Sequence, residues 1–345
     1  MTRLAFAGAG HISVVHGLAA AALPGVTVTQ VASRRPEHAA ERAAQLGARA
    51  CRYDELPGDA DVVVVSTPPD RHVPDALAAL SAGAAVVVEK PLATTLAAAD
   101  ELVAADEAAG HRTGYAENLA FAPIVLRASS LTRGLGPLRH VDARMLQSRP
   151  GWGDFLTEGW GGGVLFDLGP HPLAVVLLLA DAGPDGNDRV ERVRARLDGE
   201  PDVPVDTHAE VDLTFASGLH ARVEVSWRDP VAVLDFQAAS DDGVVRGELL
   251  PHVALEHDGH GLALPPLRAD AADGRLDQFG YLGQLDDLLA DFADGRPPDM
   301  GPRFGRLVLE IVCAGYASAG RGSAEVSVPF DGSRDATPLQ LWRGA

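Results

Sequence analysis

The sequence has almost no lysine. Of its 29 basic residues, 28 are Arg and a single one, Lys90, is Lys. Arg serves in surface ion pairs, but guanidinium stays charged, whereas an ε-amine can be tuned and can share a proton. A lone lysine is therefore a candidate for chemistry, unless it is one survivor among equivalent positions, and its surroundings must decide. Cysteine is nearly absent as well. Cys51 and Cys313 do not make a disulfide framework and suit a reducing cytoplasm. Aromatic residues are only 5%, so Ala and Val supply most of the 46% hydrophobic content. Long apolar runs are missing too: the longest, 173–180, is far too short to span a bilayer. The Ala-rich patch at 19–22 mimics a signal-cleavage site, but His11, His16 and the early glycines interrupt the apolar region before it. Acidic residues outnumber basic ones 48 to 29, a net charge of −19. No basic stripe is left to neutralise phosphates, which argues against a nucleic-acid partner.

What is present is rhythm. In the first 120 residues, strand patterns at 4–7, 26–32, 61–66 and 84–89 alternate with helix patterns at 11–23, 36–46, 70–82 and 94–109. The runs Val62 to Val65 and Val86 to Val88 read as strands buried on both faces. Such alternation means βαβ units and a parallel sheet. After a helix at 122–131 the pattern changes to consecutive strands at 138–147, 189–197, 209–215, 220–227, 231–238 and 244–249, with a hairpin turn at 216–218. This predicts an antiparallel sheet. Helices at 278–293 and 303–319 follow, and the Gly- and Trp-rich segment 150–163 reads as an ordered loop over a site. The expected fold is α/β: a parallel dinucleotide-binding sheet over residues 1–120, then an α+β domain on a mostly antiparallel open sheet over 121–345.

The first strand runs into Gly8-Ala9-Gly10-His11-Ile12-Ser13 and then a helix. This is the dinucleotide fingerprint with Ser at its third position. Gly8 permits the tight turn, Gly10 lets the backbone approach a pyrophosphate, and the helix N-terminus faces the phosphates. An NAD site would place Asp or Glu at the end of the second strand, to hold the ribose 2′-hydroxyl. Ser33, Arg34 and Arg35 stand there instead. A hydroxyl and a guanidinium fork fit a 2′-phosphate, so NADP is expected ahead of NAD. The alternative is that the two arginines are solvated helix-entry residues. Lys90 lies in Val88-Glu89-Lys90-Pro91, at the carboxyl end of a buried parallel strand, where open α/β sheets bind ligands. The cluster His252, Glu256, His257, Asp258 and His260 has no metal-ligand spacing and reads as a solvated hairpin; no metal site is expected.

Taken in order, these motifs resemble the Gfo/Idh/MocA oxidoreductases, whose namesakes include glucose–fructose oxidoreductase and inositol dehydrogenase. The features are the Gly8–Ser13 turn with His16 beyond it, Ser66-Thr67-Pro68-Pro69 with His72, Glu89-Lys90-Pro91, and Glu117-Asn118 before Phe121 and Pro123. To these are added the run from Gly161 through Asp167 and Gly169-Pro170 to His171, and the closing Ala317-Ser318-Ala319-Gly320-Arg321. The resemblance implies Lys90 and His171 as a catalytic pair with Asp167 beside them. It implies Gly8, Gly10, His11, Ile12, Ser33, Arg34, Ser66, Thr67, Pro68, His72, Glu89, Lys90 and Asn118 around the cofactor. Imidazole suits proton acceptance from a secondary alcohol near neutral pH. Pro170 and Pro172 fit a first helical turn, which predicts His171 at a helix N-terminus in its neutral form. Asp167 also reads as a plain N-cap. Trp152, Trp160 and Tyr281 are substrate-side candidates or ordinary packing residues. The expected activity is NADP-dependent hydride transfer to or from a sugar, cyclitol or polyol, in the cytoplasm, by a homodimer or homotetramer with no membrane partner. Two rivals are a family member using bound nicotinamide for glycoside cleavage and a nucleotide sensor without turnover.

Overall fold

The computed structural model describes every residue except 152, 269–273 and 345. Trp152 therefore lies outside the described residues. In chain order the first elements are β1 (Thr2–Ala7), α1 (His11–Ala22), β2 (Val26–Ala32), α2 (Pro36–Leu46), β3 (Arg49–Cys51), β4 (Val62–Val65), α3 (Pro69–Ser81), β5 (Ala85–Glu89), α4 (Leu96–Ala108) and β6 (Thr113–Ala116). Then come α5 (Pro123–Thr132), β7 (Leu138–Ser148), α6 (Val164–Asp167), α7 (Pro170–Leu179), β8 (Val190–Gly199), β9 (Asp206–Phe215), β10 (His220–Ser226), β11 (Arg228–Ser240), β12 (Val244–Leu250), β13 (Ala254–His257) and β14 (His260–Gly261). The chain closes with α8 (Gly274–Gln278), α9 (Tyr281–Asp294), α10 (Pro302–Gly320), β15 (Val326–Ser327) and α11 (Pro338–Trp342). Two compact units result: residues 1–93, 98–122 and 267–306 form the first, and 94–97, 123–266 and 307–345 the second.

The first unit is built on six parallel strands in the order β3-β2-β1-β4-β5-β6. This is the doubly wound order, with its switch point between β1 and β4. Every residue of β4 and β5 is buried. A strand covered on both faces has no solvent side, which is why these two read as unbroken Val-rich runs. The first unit also takes in α9, whose Leu282, Leu285, Leu288 and Leu289 recur at helical spacing. They pack in one core with Leu4, Phe6, Val64 and Val87. Each buried leucine contributes about 1.5–3 kcal/mol of hydrophobic stabilisation. The segment 267–306 thus returns to the first unit, a step that two consecutive domains read along the sequence do not contain.

The second unit carries a nine-stranded sheet in the order β14-β13-β12-β11-β7-β10-β9-β8-β15. Its pairings are antiparallel except that of β10 with β7, which is parallel. Along β9, buried residues alternate with half-buried ones, the pattern of a sheet with one face on a core and the other open. The open face carries charge ladders, including Arg144 with Asp235 and Arg222 with Asp212. The covered face meets α7, nearly every residue of which is buried. The stretch Glu158–Leu179 is apolar and long enough to be considered for membrane crossing, but 94% of its most apolar window is buried inside the protein. The hairpin expected at 216–218 joins β9 to β10. Of the His252–His260 cluster, Glu256 to His260 fall on the β13–β14 hairpin, which turns at Asp258 and Gly259, both at positive φ, and His252 lies between β12 and β13.

Candidate active site

In the first unit the fingerprint turn is built by close approach. Gly8 sits at φ 116°, and a Cβ there would come within 2.5 Å of the Ser66 carbonyl oxygen. The β1 and β4 ends meet at this point, with the Ser66 N–H donating to the Ala7 carbonyl at 2.8 Å. Gly10 differs: a Cβ on it would meet nothing within 4 Å. Gly10 is the N-cap of α1, makes no side-chain cap, and no acidic residue stands in the first turn. The positive end of α1, with His11 exposed and Ile12 half-buried, is therefore available to an anion. These features fit a dinucleotide pyrophosphate. Ser13, in the third fingerprint position, is fully buried. Its hydroxyl donates to the Gly10 carbonyl at 2.6 Å and accepts from Arg42 Nε at 3.1 Å, so the polar group is satisfied where a third glycine is usual.

At the end of β2, Ser33 Oγ accepts the Arg35 N–H at 3.3 Å, and Arg34 and Arg35 are exposed. After β4, Ser66 and Thr67 are buried and Pro68 is the N-cap of α3. The Thr67 hydroxyl donates to Asp75, which also pairs with Arg71. His72 is 1% exposed, its ring wedged between the Thr67 and Pro91 carbonyls at 2.8 Å each. It ties the turn after β4 to the turn that carries Lys90. Burial pushes its pKa down, against the pull of those two carbonyls. Lys90 follows the last residue of β5 and is half-buried. Asn118 donates to the Phe279 carbonyl at 2.7 Å and so anchors the turn leading into α9.

In the second unit, Asp167 and His171 are 6% and 7% exposed. They stand four residues apart on a helical path that continues from α6 through Leu168 and Gly169 into α7, which places them on one face. The N-cap of α7 is Gly169, so Asp167 is not its cap. His171 is the second residue of α7, at its N-terminus, and its N–H donates to the Leu168 carbonyl at 3.1 Å. The open N-terminus lies one turn earlier, and Asp206 fills it. Its carboxylate accepts from the Gly163 and Leu165 N–H groups at 3.0 and 2.9 Å and from the Tyr316 hydroxyl at 2.5 Å. Gly163 has no room for a side chain, since a Cβ would lie 2.2 Å from the Asp206 carbonyl oxygen. Burial pushes the Asp206 carboxyl up, while these hydrogen bonds oppose the shift. Sequence reasoning missed Asp206 and Tyr316, which lie far along the chain from the turn they support. Trp160 packs on Phe155, ring centroids 4.4 Å apart, and Tyr281 stands edge-on to His16 in the first unit.

Two family profiles match this chain: the oxidoreductase family with NAD-binding Rossmann fold over residues 2–116, and the GFO/IDH/MocA C-terminal domain over 131–246. The chain belongs to the Gfo/Idh/MocA oxidoreductase family. Its similarity to individual Gfo/Idh/MocA proteins is moderate. The UDP-N-acetylglucosamine 3-dehydrogenase of Acidithiobacillus ferrooxidans is 27% identical, over 88% of this chain and 92% of the relative. The 1,5-anhydro-D-fructose reductase of Ensifer adhaerens is 33% identical, over 50% and 54%. Other relatives match over only part of their length: 36% for the 4-carboxy-2-hydroxymuconate-6-semialdehyde dehydrogenase of Sphingobium, at 35% identity over 31% of this chain. Among solved structures, GenD2 from gentamicin A biosynthesis, in complex with NAD, superposes with a TM-score of 0.83 at 27% identity, covering 95% of this chain and 96% of that one. In this family member the Gly8 turn, Ser66 to His72, Glu89-Lys90-Pro91 and Asn118 all belong to the first unit, and Asp167 and His171 to the second.

Proposed function

We propose that this Gfo/Idh/MocA protein is an oxidoreductase that transfers hydride between a nicotinamide cofactor, NADP in preference to NAD, and a secondary alcohol or ketone of a sugar, cyclitol or related polyol. The observation that carries the reading is the position of the lone lysine: Lys90 follows β5 directly, at the carboxyl edge of the sheet whose fingerprint turn is open to a dinucleotide. Two relatives named for UDP-N-acetylglucosamine and 1,5-anhydro-D-fructose support a sugar-like substrate. The NADP preference rests on Ser33 and Arg34, where no acid stands to receive a ribose 2′-hydroxyl.

A bound nicotinamide supplies the hydride acceptor or donor. In this reading His171 takes the proton of the substrate hydroxyl, and Asp167, one turn before it on the same face, orients the imidazole. Lys90 donates a hydrogen bond to the reacting oxygen and polarises the carbonyl in the reverse direction. The test is a screen of stereochemically diverse sugars and cyclitols, with NAD and NADP in parallel, followed by Lys90→Arg on the best substrate. Arg keeps the charge and loses the tunable amine, so turnover should fall by about a hundredfold or more with NADP still bound. Turnover within a few-fold of the parent overturns the role of Lys90.

A further inference from the structure

His16 is fully buried in α1, six residues beyond Gly10 of the fingerprint. Its Nε2 lies 2.6 Å from Oε1 of Glu89, the last residue of β5, which is itself 6% exposed. The other oxygen of Glu89 accepts the backbone N–H of Lys90 at 3.0 Å. One carboxylate therefore joins α1 to the first residue past the strand, and that residue is the only lysine in the chain. The Tyr281 ring stands at 89° to the His16 ring, 6.2 Å away.

The titratable groups that bear on Glu89 are His16 from α1, His72 from α3, Lys90 beside it, and, through their own shifts, Tyr115 of β6 and Tyr281 of α9. Glu117, just past β6, acts on the same two tyrosines. Burial pushes the Glu89 carboxyl up, but the His16 hydrogen bond and the charge of Lys90 outweigh it and hold it below the usual range. Burial raises both tyrosines, which stay neutral phenols. Glu89 is thus held as an anion within this buried group. A buried ion is costly unless it is paired and hydrogen-bonded, and replacing such a pair by apolar residues is often neutral for stability. Fold stability alone gives little reason for this arrangement.

We propose that Glu89 and His16 form a positioning couple for Lys90: His16 holds the carboxylate, and the carboxylate fixes the backbone from which the amine projects and sets a negative charge beside it. The inference rests on the reading of Lys90 as the functional amine and deepens it. Glu89 and His16 act through Lys90 and take no part in bond making.

The lone lysine makes the test direct. Protein grown on isotopically labelled lysine gives one ε-carbon NMR signal, and its pH titration reads Lys90 in the full-length chain without any substrate. Glu89→Gln keeps the shape and removes the charge, so the Lys90 midpoint should fall by about one unit or more. Glu107→Gln, on the exposed side of α4, should leave it unchanged. His16→Leu frees the Glu89 carboxylate, so the Lys90 backbone amide signal, set by its hydrogen bond to Glu89, should shift, and His16→Gln, which restores an N–H donor, should bring it back. If Glu89→Gln does not fold, the two His16 variants carry the test. A folded chain in which Glu89→Gln leaves the Lys90 midpoint where it was, or His16→Leu leaves the Lys90 amide signal where it was, overturns the proposal. Because the readout needs no turnover, a shifted midpoint in a protein that converts no polyol would refute the proposed activity and leave the couple standing.

Discussion

Asp206 and Gly163 are joined across the chain by a hydrogen bond of 3.0 Å from the Gly163 N–H to the carboxylate. With the Leu165 N–H and the Tyr316 hydroxyl on the same carboxylate, this bond seats the turn that leads to Asp167 and His171. Asp206→Ala strands three buried donors. Hydrogen bonds to a charged group are worth about 1.5–3 kcal/mol each, so the variant should lose at least about 3 kcal/mol in urea denaturation. A loss under about 1 kcal/mol would show that the turn does not depend on this carboxylate.

Gly8 and Gly10 should fail in different ways. Gly8→Ala puts a methyl group against the Ser66 carbonyl at a positive φ, so it should lower thermal stability and dinucleotide binding together. Gly10→Ala meets no protein atom, so the fold should stay within about 0.5 kcal/mol of the parent. Its methyl group would occupy the space a pyrophosphate backbone contact needs, and binding should weaken at least about tenfold. Calorimetry and a dinucleotide titration on both variants check this. Tight binding by Gly10→Ala would contradict the placement of the pyrophosphate.

Arg34→Ala separates the two dinucleotides. Loss of a charge-assisted contact to a 2′-phosphate costs about 1.5–3 kcal/mol, so NADP affinity should drop at least about tenfold while NAD affinity stays level. Equal effects on both, measured by fluorescence titration, would remove the argument for NADP.

His72 predicts an acid-side loss of stability. Its folded pKa lies below the ordinary 6.5, chiefly because burial disfavours the imidazolium. Below 6.5 the unfolded chain takes up a proton that the folded chain does not. The stabilisation is therefore complete above about 6.5 and is lost as pH falls towards the folded value. Urea midpoints across this window should decline in the parent, and His72→Gln, with no ionisable ring, should show a shallower slope. Parallel slopes would mean that His72 does not titrate out of register with the unfolded state.

Much of the architecture is legible because its causes are local. The Val-rich β4 and β5, the Gly8–Ser13 turn and the alternation along β9 each follow from neighbouring residues meeting one environment. The strands β3 and β6, at three and four residues, are too short to show a period. The two prolines around His171 mark the start of α7 at Pro170, while the preceding turn of α6, which pairs the His171 N–H, carries no such signal. Lys90, Asp167 and His171 stand out as residue types in recognisable contexts, while Asp206 has no such context: its three partners lie 41 to 110 residues away.

By itself, then, the sequence determined the order of the longer elements, the dinucleotide turn and the identity of the chemical groups, since each depends on backbone geometry and solvent exposure over a few residues. The tertiary structure alone decided that the leucine stripe of α9 covers the first sheet, that β7 and β10 run parallel, and that the anion beside the only lysine is held by a histidine 73 residues away. Those outcomes depend on which buried surfaces and polar groups meet after collapse, and hydrogen-bond satisfaction between distant segments leaves no period or spacing in the chain.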